Sequence, residues 1–368
     1  MKKAIVVGAG MTGCTWAHLL ANRGWQVELY ERASTLGGGC QTLTYGGHPY
    51  TYGPRHLFTA HEEVFQYYQE RVPQRRLAHY LLTYVEGDGN FYSYPIHEED
   101  IDRMPDRDKI RDELTNRGDP AKAHNFEEYW VNSVGETLYE KFVKNYSEKM
   151  WQVESNTLID DFKFDGKGVG FATGSHEVRP DIFISYPLSL GGWNDYIEMC
   201  ANTDNVTAHT GINIEGFNLE KPAVQIAGDW HSCDLLISSI SPDYLMDGVY
   251  GELNYIGRDF IPVVLPVEQV IPDPTFFLHY ANGETYTRVV EYKKLTGYQS
   301  PHTLIGIEIP STRNKLYPYP IKAEQDRAQR YIDAIQSDNV LSVGRLGNYR
   351  YMDIGDVTLE ALEKVSQL

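Results

Sequence analysis

At 368 residues the chain is long for one hydrophobic core, so two or three packed units are expected. Hydrophobic residues at 42% and charged residues at 23% are ordinary for a globular protein, and no apolar run of about 18 residues exists to cross a bilayer. The formal net charge of −18 disfavours nucleic acid and anionic membranes as partners, so an anionic ligand must be held by local arginines or helix N-termini.

In chain order, residues 3–7 read as a short apolar strand, 8–13 as a tight glycine turn and 14–23 as a helix ending at Gly24. The start faintly imitates a signal peptide, but Gly8 and Gly10 break the apolar stretch and Arg23 soon follows, so a cytoplasmic protein is expected. Residues 26–30 form the next strand, giving a βαβ unit with glycines at its first turn and Glu31 at its end. Residues 98–152 carry helical signals, with Asn125 before one candidate helix. Residues 285–292 and 303–309 read as strands. Residues 206–226 and 233–240 read as strands returning to the first unit, 340–343 as a last buried strand, and 356–365 as the C-terminal helix. The dinucleotide unit is therefore discontinuous. Cys14, Cys40, Cys200 and Cys233 are scattered without CxxC spacing, so neither a disulfide framework nor a metal site is expected.

Three motifs bear on the ligand. Gly8-Ala9-Gly10-Met11-Thr12-Gly13 fits the dinucleotide fingerprint, in which glycines let the backbone approach a pyrophosphate and the helix N-terminus meets its charge. Glu31 stands at the spacing of a ribose-binding acid. Glu31-Arg32 followed by Leu36-Gly37-Gly38-Gly39 resembles the extended fingerprint of FAD proteins akin to glutathione reductase and amine oxidase. Val343-Gly344-Arg345-Leu346 is similar to the strand end that closes their FAD site, with the next helix N-terminus near the flavin.

Four further segments, in order along the chain, resemble the UDP-galactopyranose mutase family: Asn145-Tyr146-Ser147-Glu148-Lys149-Met150-Trp151, Tyr286-Thr287-Arg288-Val289-Val290-Glu291, Tyr317-Pro318-Tyr319-Pro320, and the run from Gly344 to Asp353. The resemblance implies an α/β fold: a discontinuous FAD-binding Rossmann-like domain (1–65, 205–245, 335–368), a helical insertion on the nucleoside side (97–155), and an antiparallel substrate-side sheet (66–96, 170–200, 246–325) with a mobile loop near 164–180. It also implies an isomerase in which reduced FAD attacks the anomeric carbon of a nucleotide sugar through N5. The sugar ring then opens and recloses as a furanose, with UDP-galactose the default substrate.

By that resemblance Arg288, Tyr319 and Tyr351 hold the diphosphate, because a guanidinium binds two phosphoryl oxygens and phenols donate to others. Tyr146 and Trp151 take the nucleoside. The glycines at 8, 10, 13, 38 and 39, together with Met11, Thr12, Glu31, Arg32, Arg345, Asp353 and Ile354, surround the cofactor.

Two places depart from the family. The bacterial Gly-Ala-His-Ile-Phe-His-Thr becomes Gly53-Pro54-Arg55-His56-Leu57-Phe58-Thr59, so either Arg55 replaces a histidine or His56 is that histidine displaced by one. The mobile loop lacks a clean arginine match, leaving Lys167 or Arg179 as substitutes, and Tyr186 is carried over only from a weakened motif. These changes leave the base and sugar open, including GDP- or dTDP-linked, N-acetylated and deoxy sugars. The oligomeric state also stays open, a homodimer included. An FAD oxidase of amine-oxidase type is the rival enzyme reading, and a flavin-fold escort protein the non-enzymatic one.

Overall fold

The computed structural model of the chain describes residues 1–160, 171–335 and 337–368. Lys167 and the glycine-rich loop around it lie outside the described residues.

Lys3–Val7 (β1), Met11–Asn22 (α1) and Gln26–Tyr30 (β2) form the expected βαβ unit. They belong to a five-stranded parallel sheet in the order Val206–His209, β2, β1, Leu235–Ser238, Val340–Ser342. Alternation along β1 separates two cores. Ala4 and Val6 pack with Trp16, Ala17 and Leu20 of α1 and with Val357 and Ala361 of the helix Ile354–Ser366. Ile5 and Val7 face the other way, in one cluster with Tyr331 and Ile335 of the helix Lys322–Ile335. Each large apolar side chain so buried contributes about 1.5–3 kcal/mol. The sheet thus draws on both ends of the chain.

The first helix begins three residues earlier than its pattern suggests, at Met11. Its first turn is made of the fingerprint itself: a β-carbon on Gly13 would stand 1.8 Å from the Gly8 carbonyl oxygen. Of the span 206–226, only Val206–His209 joins the parallel sheet. Gly216–Asn218, Ala223–Ile226 and Asp229–Ser232 make a separate antiparallel sheet instead. Ala227 and Gly228, both at positive φ, close a tight hairpin there and turn the chain back on itself.

The insertion packs its own core, with Ile96, Ile110, Trp130, Val134, Leu138 and Phe142 buried together. Asn125 caps Phe126–Val134 by accepting from the Glu128 amide at 2.9 Å. A single π-helical turn, Glu140–Lys144, leads into Asn145–Trp151.

The substrate-side sheet has seven strands, ordered Tyr317–Pro318, Tyr255–Leu265, Thr303–Ser311, Arg288–Glu291, Phe277–Tyr280, Leu81–Val85, Asn90–Ser93. All neighbours are antiparallel except Phe277–Tyr280 with Leu81–Val85, which run parallel where the two chain segments meet. Phe183–Pro187 does not join this sheet; it pairs with Leu57–Thr59 and Gln74–Arg76.

Candidate active site

Three glycine-bearing segments converge at the C-terminal edge of the parallel sheet. The Gly37 amide donates to the Ala9 carbonyl at 2.7 Å, and a β-carbon on Gly38 would lie 3.3 Å from the Gly10 Cα. A β-carbon on Gly344 would meet Thr12 Oγ1 at 2.4 Å. Gly10 differs from these: a β-carbon there would find no protein atom within 4 Å, and its φ of −75° suits any residue. The chain's own packing therefore does not require glycine at that position, which is what a close-lying pyrophosphate would require.

Glu31 accepts from the Ala9 and Ala33 amides, both at 2.8 Å, so its carboxylate is held at the mouth of the turn with lone pairs left for a ribose. Arg32 beside it is exposed. Asp353 caps the helix Ile354–Ser366 in a capping box with Asp356, and its carboxylate stands 3.8 Å from Arg345. Ile354 and Met11 are buried beneath the cradle.

From this cradle the chain leads directly into a cluster of arginines. Arg55 Nε donates to the Gly39 carbonyl and Nη1 to the Tyr317 hydroxyl, each at 3.1 Å. The Arg258 and Arg345 guanidiniums each lie 4.8 Å from the Tyr317 ring centre, and Tyr351 stacks on Tyr317 at 5.8 Å. Arg288 ion-pairs with Glu308 at 2.7 Å across the antiparallel register, and Arg258 stands 4.0 Å from the same carboxylate oxygen. Arg288 and Glu291 stand three apart on one strand and so face opposite sides. Glu291 instead accepts from the Val270 and Ile271 amides.

Arg288 and Arg258 each keep a buried Nε without a hydrogen-bond partner among the described residues. Among the described residues four guanidiniums face only two carboxylates here, those of Glu308 and Asp353, so the cluster has more cations than carboxylates to receive an anionic ligand. Burial alone would raise the Tyr317 phenol, but Arg55, Arg288, Arg345 and Arg258 override it and hold the group well below its ordinary range. Burial also works against the charge on Arg288, yet Glu308 and the phenols of Tyr146, Tyr317 and Tyr351 keep it firmly protonated.

The helix Asn145–Trp151 closes the other side. Lys149 staples it to the sheet by donating to the Tyr280 carbonyl and pairing with Glu284, both at 3.0 Å, and by donating to the Tyr286 carbonyl at 3.1 Å. This places Tyr146 against His279, ring centres 4.7 Å apart, and His279 is the register partner of Arg288. Trp151 shares a buried cluster with Tyr317 and, at its edge, Tyr319 and Tyr351.

The structure thus gathers Arg55, Tyr146, Trp151, Arg288, Arg345 and Tyr351 around one locus. Tyr319 stands at its margin, lining a cavity of about 370 Å³ with Asn254, Lys315 and Glu324. His56 points away from the arginines, its ring against His79 and Phe276 at 5.0 and 5.7 Å. Tyr186 is wholly buried beside Trp193, where burial pushes its phenol up to about 12. Arg179 pairs with Asp181 at 3.0 Å on the surface.

Tyr317, Arg258 and Glu308 were not singled out from the sequence. Tyr317 and Tyr319 are two residues apart on extended chain and share a face, so pattern alone does not choose between them. Arg258 and Glu308 meet only through strand register. Removing the shared counter-charge should be costly: Glu308→Ala is expected to lose about 3–5 kcal/mol by leaving buried cations uncompensated, read as a fall in the urea midpoint at constant slope. A midpoint within about 0.5 kcal/mol of wild type would show that the pair is solvated in the free protein.

The UDP-galactopyranose mutase family model matches residues 141–351, more than half of the chain, and an NAD(P)-binding Rossmann-like domain model matches residues 6–71. The chain belongs to the UDP-galactopyranose mutase family. It is an isomerase, a nucleotide-sugar pyranose–furanose mutase. A probable UDP-galactopyranose mutase of Klebsiella pneumoniae is 25% identical, over 100% of this chain and 94% of the relative. The dTDP-fucopyranose mutase of Escherichia coli is 22% identical, over 99% and 97%. The crystal structure of a reduced UDP-galactopyranose mutase superposes with a TM-score of 0.82 at 18% identity, covering 100% of this chain and 95% of that one, which establishes a common fold. Among the described residues no helix is long and apolar enough to cross a membrane.

Proposed function

We propose that this mutase binds FAD in the glycine cradle, acts with the flavin reduced, and interconverts UDP-galactopyranose and UDP-galactofuranose. The carrying observation is Arg55, which joins the cradle at Gly39 to Tyr317 inside the arginine cluster, so that a flavin ring and a diphosphate would lie in one continuous site. The residues present suit FAD. Gly8, Gly10 and Gly13 with the N-terminus of α1 would receive the pyrophosphate, and Glu31 the ribose. Gly38, Gly39 and Arg345, with the capped helix end at Asp353, would border the flavin. Reduced flavin would supply the nucleophile that holds the sugar at its anomeric carbon.

The chain's own groups bind, orient and neutralise. Arg288 and Arg258 take the diphosphate through their partnerless Nε–H groups and stabilise the charge that develops as it leaves. Tyr317 and Tyr351 address the same oxygens, while Tyr146 and Trp151 hold the nucleoside. A diphosphate draws the guanidiniums away from Tyr317, so its phenol regains a proton on binding. The sign follows: because the phenol of the free protein is held well below its ordinary range and regains its proton in the complex, a nucleotide sugar should bind more weakly as pH rises through that lowered range, by up to about tenfold per unit once Tyr317 is ionised. Tyr317→Phe should flatten that slope in calorimetric titration; an unchanged slope would remove Tyr317 from the account.

A dTDP-linked deoxy sugar is the second reading, supported by the full-length likeness to a dTDP-fucopyranose mutase. A panel of UDP-, GDP- and dTDP-sugars incubated with the dithionite-reduced protein and separated by chromatography decides between them. Conversion of UDP-galactose alone supports the first reading, conversion of a dTDP-sugar alone the second, and conversion of none overturns both.

A further inference from the structure

The helix that carries Tyr146 and Trp151 does not run on from the one before it as an α-helix. Between Glu136–Tyr139 and Asn145–Trp151 lies the π-helical turn Glu140–Lys144. A π turn holds one residue more than an α turn, so everything beyond it is turned by about 100° about the helix axis. Counted from the N-terminal side, an uninterrupted α-helix would put Asn145 where Tyr146 meets His279, and Glu148 where Lys149 reaches Glu284. The aim of Tyr146 therefore depends on the wide turn being kept.

One side chain from outside the helix grips that turn. Asn156 is fully buried, and its Nδ2 donates to the Lys144 carbonyl at 3.0 Å and to the Tyr139 hydroxyl at 2.9 Å. These two residues bracket the wide turn: Tyr139 ends the helix before it, and Lys144 is its last residue. Tyr139 in turn donates to Glu127 of Phe126–Val134 at 2.9 Å, which anchors the grip in the insertion. A carbonyl can only accept, so Lys144 fixes the Asn156 amide this way round. Its Oδ1 is then left buried with no hydrogen-bond partner among the described residues. An apolar side chain of the same size would not carry that cost, so the position calls for the two N–H donors. The segment that presents Asn156 is itself pinned. Ser155 caps the short turn Asn156–Leu158 by accepting from the Thr157 amide at 3.2 Å, and the Ile159 carbonyl accepts from the Phe126 amide at 2.9 Å. Ile159 packs in one buried cluster with Trp151.

We propose that Asn156 is a positioning residue for the nucleoside end of the substrate: it holds the π turn open and so aims Tyr146 and Trp151 into the site. It acts through those two rings, and the inference rests on the reading that they take the nucleoside. An asparagine five residues past Trp151 carries no sign of this in the sequence, because only the fold brings it back to Lys144.

The test titrates FAD-loaded full-length protein calorimetrically with UDP and with inorganic pyrophosphate, which shares the diphosphate and lacks the nucleoside. Asn156→Ala is expected to weaken UDP by about tenfold, and Tyr139→Phe, which removes only the bridging oxygen, by several-fold. Pyrophosphate should bind both variants within about twofold of wild type, because the arginines that hold it stand on other elements. Should Asn156→Ala fail to fold, Tyr139→Phe decides alone. Wild-type UDP affinity in both variants, or an equal loss of UDP and pyrophosphate, overturns the positioning role. Tyr146→Ala, titrated in parallel, keeps the two claims apart. If it leaves the preference for UDP over pyrophosphate unchanged, the nucleoside reading fails. If it narrows that preference and Asn156→Ala does not, the positioning role alone fails.

Discussion

Arg288→Ala should lower turnover on the preferred nucleotide sugar by about 10²–10³-fold while the protein stays yellow. Arg288 lies on the central part of the seven-stranded sheet, opposite Tyr146 and against Glu308. Its guanidinium offers two parallel donors to a diphosphate, and its charge counters that of the departing oxygens. Losing one such donor set is worth about 2.7–4 kcal/mol in the transition state. Alanine also strands Glu308, so part of the loss would come from stability. Arg288→Lys separates the two: it keeps the charge beside Glu308 and loses the fork, and should retain near-native thermal stability with turnover still well below wild type. Stopped assays at saturating substrate, with flavin absorbance recorded on the same samples, check both. Wild-type turnover in Arg288→Lys would mean that only charge matters at this position.

Gly10→Ala and Gly13→Ala should fail in different ways, although both sit in one turn. At Gly13 the new carbon would stand 1.8 Å from the Gly8 carbonyl oxygen, which is backbone and cannot step aside. That variant is expected to lose both the cofactor and several kcal/mol of stability by overpacking. At Gly10 nothing in the protein lies within 4 Å and the backbone angle suits alanine. The cofactor-free Gly10→Ala protein should therefore melt within about 0.5 kcal/mol of wild type, yet bind FAD at least about tenfold more weakly, because a methyl group would occupy the approach of the pyrophosphate. Equal FAD affinity in Gly10→Ala and wild type would place the cofactor elsewhere.

The sequence disclosed most where one stretch of chain contains its own physical reason. Strands β1 and β2 are short, apolar and alternating, and the glycines between them have a single use, so their positions were legible directly. Arg288 was legible because its neighbours repeat a family pattern. Residues defined by juxtaposition were harder to see. Arg258 and Glu308 are ordinary residues of long strands until the register sets them beside Arg288. Tyr317 could not be preferred to Tyr319, since both project to one face of an extended segment. Arg55 and His56 are equal candidates in the sequence, and the turn after Gly53 sends one side chain to Tyr317 and the other to His79. The strands around Ala227-Gly228 carry the same apolar residues as a returning strand, and only the positive-φ turn reveals the reversal.

The most direct test of the central claim follows both product and reductant. Holoenzyme reduced once with dithionite and freed of excess reductant should convert UDP-galactofuranose to UDP-galactopyranose over many turnovers per flavin, with the flavin still reduced at the end. Oxidised enzyme should be inactive. Conversion by the oxidised protein, or consumption of one reducing equivalent per product, would contradict a flavin that serves the sugar as a nucleophile and emerges unchanged.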